Sequence, residues 1–254
     1  HSVFEFFSLF FFFKLTCRQT FTHELHYSHV TIMPTLFKNV RILEINIWTK
    51  NTRNAIICKN ASCFWPMSSN GVVYIPFTLD RSYSPLDKIT ITGAMTDFYS
   101  KACIQFIPWT NQKDYVSIEP QNGCWSSVGK VGGKQVVSLQ RDTCLFNGVI
   151  QHELNHVLGF LHEQSRSDRD QHVRIDWQYI SPEYVNNFQK INTNNLGTPY
   201  DYTSVMHYPR DAFSNTTNEY TITPIPNPNV TIGQRIGLSS IDIQRINLLY
   251  QCSK

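Results

Sequence analysis

The 254-residue sequence shows several absences, and each one argues against a class of protein. The apolar stretch from Phe4 to Leu15 is far shorter than the roughly 20 residues that a membrane-spanning helix needs, so we expect no membrane anchor. No internal repeat is visible, which argues against a repeat architecture. No CxxC pair occurs, so nothing in the cysteine spacing indicates a metal site.

Residues 1–53 lack both Gly and Asp, yet they hold nine of the chain's 17 Phe residues. This change in composition near residue 53 indicates a boundary between two segments. The apolar stretch also lacks the basic leading region and small-residue cleavage site of a complete signal peptide. We therefore predict a pre/pro segment over residues 1–53, incomplete or atypical, and a folded domain over residues 54–254.

The charge balance gives no sign of a nucleic-acid partner. Residues 54–254 contain sixteen Lys and Arg against sixteen Asp and Glu, so the predicted domain is formally neutral and has no basic patch. Hydrophobic residues make up 41% of the chain and aromatic residues 13%, which is typical of a globular protein. A chain of this length can bury one sizeable core, or form two lobes that flank a cleft.

Cysteine usage predicts an oxidising compartment. Seven cysteines without a metal-binding spacing favour a disulfide framework, which indicates a secreted, extracellular protein. Asn60, Asn215 and Asn229 each begin an N-glycosylation acceptor pattern, which agrees with secretion.

The most informative stretch runs from His152 to Glu163. On a helix, His152 and His156 share one face, a turn apart, where both imidazoles can reach one metal ion. Glu153 is offset by one position, so it can contact a water on that metal without being a ligand. Gly159 lets the backbone leave the helix, and His162 can then return as a third nitrogen ligand. Three neutral nitrogens favour zinc and leave a fourth position for water.

The alternative interpretation is that these histidines are satisfied within a helix and hold no metal. A bare HExxH pattern is expected by chance in about one such chain in a hundred. The added Gly159 and His162 lower that frequency to roughly one in 10⁵, which favours the metal site.

Hydrophobic periodicity predicts ordered elements before the motif and irregular structure after it. Predicted strands cover 72–77, 104–107, 114–119 and 135–140, and predicted helices cover 84–101, 147–159 and 239–250. After residue 170 the chain is rich in Asn, Thr, Pro and Tyr and has little periodicity until the last helix. We expect a metal cleft between an ordered upper lobe and a looser lower lobe.

The motif, joined to Ser204-Val205-Met206-His207-Tyr208, resembles the signature of the astacin family of zinc endopeptidases, within the metzincins. Arg166, Asp168, Arg169 and Asp170 also follow the family pattern after the third histidine, as does the run Pro199-Tyr200-Asp201-Tyr202 before the turn. The resemblance spans about residues 54–252. Within the family the chain looks most like the fish hatching enzymes, on three features: residues 54–63 with Cys58 and Cys63, residues 151–156, and residues 222–229.

The resemblance implies an α+β fold, a metzincin-type two-lobed catalytic domain over residues 54–254. The upper lobe would hold a mixed twisted sheet and two long helices. The lower lobe would be irregular with a C-terminal helix, and the zinc cleft would lie between the two lobes.

The resemblance also implies roles for individual residues. His152, His156 and His162 would bind one Zn²⁺ per chain, with Glu153 as the general base. Tyr208 would stabilise the oxyanion, and Met206 would have a structural role in packing beneath the ligands. Glu163 would engage a new amino terminus at Asn54 after cleavage behind Arg53; the alternative is an ordinary ion pair with Arg166.

Disulfide pairing is implied in the same way. The family pairs would be Cys103 with Cys252 and Cys124 with Cys144, and Cys58 with Cys63 would be the hatching-type addition. Cys17 is then left over. One departure concerns latency, because family propeptides supply an aspartate to the zinc and residues 1–53 contain none.

The predicted function is a secreted zinc endopeptidase that acts on protein or peptide substrates. Egg-envelope glycoproteins are the substrates that a hatching enzyme would cleave; a digestive or tissue-remodelling enzyme is the alternative with the same chemistry. A catalytically silent binding protein on the same fold is a third hypothesis, and a zinc deaminase or deacetylase fits the motifs less well. We expect a monomer with no nucleic-acid or membrane partner.

Overall fold

The structure of the protein is a computed structural model that describes residues 55–58 and 62–253. The predicted pre/pro segment, Cys17, Asn54 and Asn60 lie outside these residues, so the predictions made for them remain predictions. Within the described ranges, no helix combines the length and the apolar character needed to cross a bilayer.

The upper part of the domain is built on a five-stranded mixed sheet. Its strands are β1 (Val73–Leu79), β2 (Ile104–Pro108), β3 (Tyr115–Glu119), β4 (Cys124–Ser126) and β5 (Lys134–Leu139), in the spatial order β2-β1-β3-β5-β4. All neighbouring strands are parallel except β4, which pairs antiparallel with β5. The apolar side chains of the central strands face the core because parallel strands are covered by other elements. The mixed sheet predicted from the resemblance is therefore confirmed.

Two helices pack in this upper part, α1 (Pro85–Lys101) and α2 (Asn147–Val157). Ser84 caps α1, since its hydroxyl accepts the Asp87 N–H while the Asp87 side chain accepts the Ser84 N–H. Proline in the first turn adds to this start signal because its missing N–H has no helical partner there. The buried side chains of α1 recur at helical spacing: Ile91, Ala94, Met95 and Phe98.

The lower part is irregular and has its own core. It contains four short 3₁₀ helices (Glu163–Ser165, Arg169–Gln171, Trp177–Tyr179 and Pro182–Phe188) and the antiparallel pair β6 (Val173–Ile175) and β7 (Ile222–Pro224). Its buried cluster includes Phe188, Tyr200 and Tyr208. The predicted irregular lobe is confirmed, although its small sheet was not foreseen, because strands of three residues are too short for a period of two to be recognised.

The last helix, α3 (Ser240–Tyr250), begins behind a second capping box made by Ser239 and Asp242. Ile246 and Tyr250 on this helix belong to the same hydrophobic cluster as the sheet and α2. Although α3 follows the lower lobe in sequence, its apolar side chains pack in the upper core.

Three disulfides join the pairs that the resemblance implies: Cys103 with Cys252, Cys124 with Cys144, and Cys58 with Cys63. The first connects the start of β2 to the residues just after α3, so it ties the upper sheet to the end of the domain. Of the described glycosylation acceptors, Asn215 and Asn229 are both exposed. Their modification remains a prediction.

Candidate metal centre

Helix α2 carries the first two histidines on one face, as their spacing of four residues requires. The imidazole rings of His152 and His156 lie 4.8 Å apart between centroids. Every residue of α2 from Gly148 to Val157 is buried. A helix enclosed on all sides has little room to move, so it holds the two rings in one arrangement.

Gly159 turns the chain so that the third histidine can return. Its φ angle is +101°, a left-handed conformation that L side chains rarely adopt, and a Cβ there would lie 3.0 Å from the Phe64 ring. After this turn, the Nε2 atom of His162 lies 3.1 Å from Nε2 of His152 and 3.2 Å from Nε2 of His156. The structure therefore brings together the three imidazoles that the motif predicted.

The ligand atoms of His152, His156 and His162 all lie within 4.8 Å of one another, and the three side chains are buried. This is the only group of three metal-ligating side chains among the described residues. Three imidazole nitrogens aimed at one point are a common donor set for catalytic zinc. The residues present thus fit the ion that the sequence predicted.

Backbone carbonyls set the tautomers of two of these rings. The Nδ1 atom of His152 lies 2.8 Å from the Val205 carbonyl oxygen, and Nδ1 of His156 lies 2.7 Å from the Phe160 carbonyl oxygen. Since a carbonyl oxygen only accepts hydrogen bonds, Nδ1 carries the proton in both rings. Each Nε2 atom therefore presents its lone pair to the centre, which is the form that binds a metal.

Burial also keeps the three imidazoles neutral. It lowers the pKa of His156 to about 4 and holds the pKa of His152 and of His162 well below 6.5. The Arg235 guanidinium adds to this lowering at all three rings. A neutral ring is needed because only the unprotonated nitrogen can coordinate.

The two residues predicted to be catalytic are both buried and belong to segments that form this centre. Glu153 follows His152 on α2 and is 2% exposed. Tyr208 is fully buried, and its ring centroid lies 4.5 Å from that of His162. The ring of Tyr208 is held in place by Phe188 and Phe213, at centroid distances of 5.7 Å and 5.5 Å. Tyr208 therefore contacts one of the three imidazoles, and the buried Glu153 lies next to His152 in the chain.

The turn from Ser204 to Tyr208 lies against two of the histidine-bearing segments. The Val205 carbonyl accepts a hydrogen bond from Nδ1 of His152. The Met206 carbonyl accepts a hydrogen bond from the N–H of Glu163, the residue after the third histidine, at 3.0 Å. The Met206 side chain is buried. These contacts are consistent with the structural role expected for Met206.

Glu163 is completely buried in an ionic network. Its two carboxylate oxygens accept bidentate hydrogen bonds from Arg245 at 2.7 and 2.9 Å, and Oε1 also accepts the Asp201 N–H at 2.7 Å. Arg166, the partner considered from the sequence, forms an ion pair with Glu163 at 3.5 Å and also a bidentate pair with Asp168. The predicted contact with an amino terminus at Asn54 lies outside the described residues.

Sequence reasoning missed several residues that shape this site. Arg245 is the one basic residue of α3, and no sequence signal connects it to Glu163, 82 positions away. The Val205 and Phe160 carbonyls are backbone groups, which no side-chain pattern reveals. Asp242 was not singled out from the sequence, although its carboxylate completes the capping box of α3 and also contacts the turn at Val205.

Comparison with known proteins agrees with this geometry. The model of the Astacin peptidase family matches residues 59–251. High choriolytic enzyme 1 of Oryzias latipes is 53% identical over 211 residues, which are 83% of this chain and 78% of that protein. An astacin-like metalloendopeptidase of Gallus gallus is 49% identical over 226 residues, and the match covers 84% of this chain and 55% of that larger protein.

Solved structures give the same result. The structure of high choriolytic enzyme 1, a hatching enzyme zinc-protease from medaka, matches with a TM-score of 0.78 and 54% identity, over 78% of this chain and all of that one. Myroilysin matches with a TM-score of 0.54 at 20% identity, over 76% of this chain and 98% of that one, which shows a shared fold alone. The chain therefore belongs to the astacin family of metalloendopeptidases.

Proposed function

We propose that this protein is a secreted zinc endopeptidase in which His152, His156 and His162 hold the ion, Glu153 is the general base and Tyr208 stabilises the oxyanion. The observation that carries the proposal is the convergence of three buried, neutral imidazoles, whose ligand atoms lie within 4.8 Å of one another. An imidazole can offer a metal a coordination bond only through a nitrogen that carries no proton.

Zinc held there would supply a Lewis acid that acidifies water and polarises the scissile carbonyl. Glu153 would take a proton from the attacking water while the water oxygen forms a bond to the carbonyl carbon. The same carboxyl would then give that proton to the amine nitrogen as the C–N bond breaks, so the proton count balances. The Tyr208 hydroxyl would donate a hydrogen bond to the negative charge that develops on the carbonyl oxygen.

Burial of the site favours this chemistry. Glu153 and the three imidazoles are almost completely shielded from solvent, and a hydrogen bond or charge acts more strongly where water is excluded. Glu153 follows His152 on the same buried helix, which supports a base that would lie near the ion without joining the ligand set. Position and environment therefore support separate roles for ligand and base.

The mature enzyme would begin at Asn54, after cleavage behind Arg53. Ala55 is buried and pairs with Phe160 and Asn194, and the Ile56 N–H donates to the Gly159 carbonyl at 2.9 Å. The start of the domain thus lies against the turn that positions the third histidine. This supports a zymogen in which release of the preceding segment completes the site, with Glu163 receiving the new terminus.

The substrate class we propose is egg-envelope glycoprotein, in an extracellular setting. Two observations support it: similarity to the medaka choriolytic enzymes, and three disulfides, which form in an oxidising compartment. A digestive or tissue-remodelling role would use the same site on other proteins. A silent binding protein is disfavoured because no ligand, base or tyrosine has been replaced.

The test uses the chain beginning at Asn54 and its Glu153→Ala variant, with zinc content measured in both. We expect about one zinc per chain in each protein, and a kcat for casein lowered by about 10²–10⁴-fold or more in the variant, the share that a general base supplies. Glu183→Ala, at an exposed glutamate of a 3₁₀ helix, is the matched control and should leave kcat unchanged.

The possible outcomes separate the hypotheses. If both proteins bind zinc and neither cleaves casein or egg-envelope protein, the endopeptidase proposal fails and a binding protein is indicated. If casein is cleaved while solubilised egg envelope is not, the catalytic roles stand and a digestive or remodelling function replaces the hatching function.

A further inference from the structure

The Asp242 carboxylate, in the first turn of α3, is 2% exposed and contacts more than its own helix. Its Oδ2 atom accepts the Ser239 N–H at 3.0 Å, which completes the capping box. The same oxygen accepts the Val205 N–H at 2.9 Å, and Oδ1 accepts the Ser204 hydroxyl at 2.6 Å. A helix cap needs the first contact only, so the other two require a separate explanation.

These two additional contacts fix the turn that runs from Ser204 to Tyr208. The Ser204 hydroxyl donates a hydrogen bond to Asp242, and its oxygen accepts a hydrogen bond from the Met206 N–H at 3.0 Å. Asp242 therefore holds the Ser204–Val205 peptide directly and Met206 through one serine. Hydrogen bonds to a carboxylate are stronger than those between neutral groups, and burial increases the difference.

The Val205–Met206 peptide, whose N–H is held through Ser204, carries the carbonyl that orients a metal ligand. The Val205 carbonyl oxygen lies 2.8 Å from Nδ1 of His152, and this contact sets both the ring plane and the tautomer. Arg235 also donates to the same carbonyl at 3.0 Å. Any displacement of Val205 would rotate its carbonyl and weaken the contact that turns Nε2 of His152 toward the other imidazoles.

We propose that Asp242 is a positioning residue of the metal centre, which acts through Ser204 and Val205 to hold His152 in its ligating orientation. The inference rests on the proposed zinc site. In this role α3 contributes to zinc affinity from a position 90 residues beyond the ligand that it orients.

The chain contains its own control for the helix-capping part of this role. Asp87 on α1 forms the same capping box with Ser84, and its other side-chain partner is Arg141, not the turn. Asp87→Ala and Asp242→Ala therefore remove the same capping interaction from two helices. Of these two variants, only Asp242→Ala also removes contacts with the turn that holds His152.

The experiment measures zinc affinity by competition with a chromophoric chelator, in the chain beginning at Asn54 and in both variants. We expect the zinc Kd to rise about tenfold in Asp242→Ala, the lower end of the range for residues that support a metal ligand, and to stay within about twofold in Asp87→Ala. The visible spectrum of the cobalt-substituted protein should change in Asp242→Ala alone, because it reports ligand geometry rather than stability.

A folded Asp242→Ala variant with wild-type zinc Kd and cobalt spectrum would overturn the proposal. Ser204→Ala is the milder second variant, since it removes the hydroxyl link and leaves the helix cap. We expect its zinc Kd to rise by less than the roughly tenfold expected of Asp242→Ala, because the contact between Asp242 and the Val205 N–H remains. If Asp242→Ala does not fold, an unchanged Kd in Ser204→Ala decides against the role. Absence of zinc binding in the parent protein would refute the proposed function itself, which distinguishes the two failures.

Discussion

At the scale of single residues, the surroundings of each side chain decide what it can do. Burial favours the unprotonated form of the three imidazoles, and backbone carbonyl partners of His152 and His156 determine which nitrogen faces the centre. The Tyr208 ring packs against the aromatic rings of Phe188 and Phe213. Removing only the hydroxyl of Tyr208 therefore tests its chemical role while the aromatic ring is retained.

Tyr208→Phe tests the oxyanion role. We expect kcat to fall by about 10²–10³-fold, the cost of losing one donor to an oxyanion, while zinc content and the free energy of unfolding stay near those of the parent. The measurement is steady-state kinetics on a peptide substrate. Tyr184→Phe removes a hydroxyl from the same lower core and should leave kcat unchanged; equal activity in both variants would show that Tyr208 is only a packed aromatic residue.

Asp168 gives a pH-dependent contribution to stability with a defined sign. The Arg166 guanidinium, which forms two hydrogen bonds to this carboxylate, holds the pKa of Asp168 below 3.8. A carboxyl with a lowered folded-state pKa stabilises the fold fully above 3.8, and this stability is lost as the pH falls through the lower pKa. The Asp168→Asn variant should therefore lose less stability than the parent between neutral pH and about pH 3, measured by urea unfolding. An identical pH dependence in both proteins would rule out this ion pair as a source of acid sensitivity.

At the scale of elements, the site depends on how α2 meets the loops around it. The loop around Arg235 runs so close to the start of α2 that a Cβ on Gly148 would overlap the Arg235 carbonyl group. Gly93, in the middle of α1, has no atom within 4 Å of the position of a Cβ. Two helical glycines thus occupy opposite environments.

Substitution by alanine should therefore have opposite effects at these two positions. Gly148→Ala should lower the free energy of unfolding by about 1–3 kcal/mol, because the loop must move to admit a methyl group. Gly93→Ala should raise it by about 0.5–1 kcal/mol, because alanine loses less backbone entropy in a helix. Chemical denaturation measures both changes, and a neutral Gly148→Ala would mean that the loop is not held against α2.

At the scale of the whole molecule, two hydrophobic cores share one domain, and long-range links connect distant parts of the chain. The pair Cys103–Cys252 joins residues separated by 149 positions, whereas Cys124–Cys144 spans 20. In the chain-entropy model a longer closed loop removes more freedom from the unfolded state.

Loss of the longer disulfide should therefore cost more stability. Replacing both cysteines of the pair by alanine should lower the free energy of unfolding by about 5 kcal/mol for Cys103–Cys252 and about 3 kcal/mol for Cys124–Cys144. Guanidinium unfolding at one fixed zinc concentration makes the two values comparable, since bound metal also stabilises the fold. Equal costs would indicate that local strain or residual structure outweighs loop entropy.

Much of the upper part was predictable because local signals there agree. The capping residues Ser84 and Ser239 mark both helix starts, and the predicted strand and helix bounds differ from the observed ones by a residue or two. Helix α2 was predicted to end at Gly159, whereas it ends at Val157, since the turn needs two further residues. The short strands β4, β6 and β7 were not predicted because their partners, not their own sequences, make them strands.

Residue type at a short spacing is enough to identify the metal motif and the turn residue after it, and the cysteines can be read directly from the sequence. The groups that support the motif depend instead on how distant segments pack together: the Val205 carbonyl behind His152, Arg245 beside Glu163, and Asp242 behind the turn. A buried charge or N–H must find a hydrogen-bond partner, but any donor or acceptor of the right kind and geometry will satisfy it. The partner is therefore chosen by which segments the fold brings together.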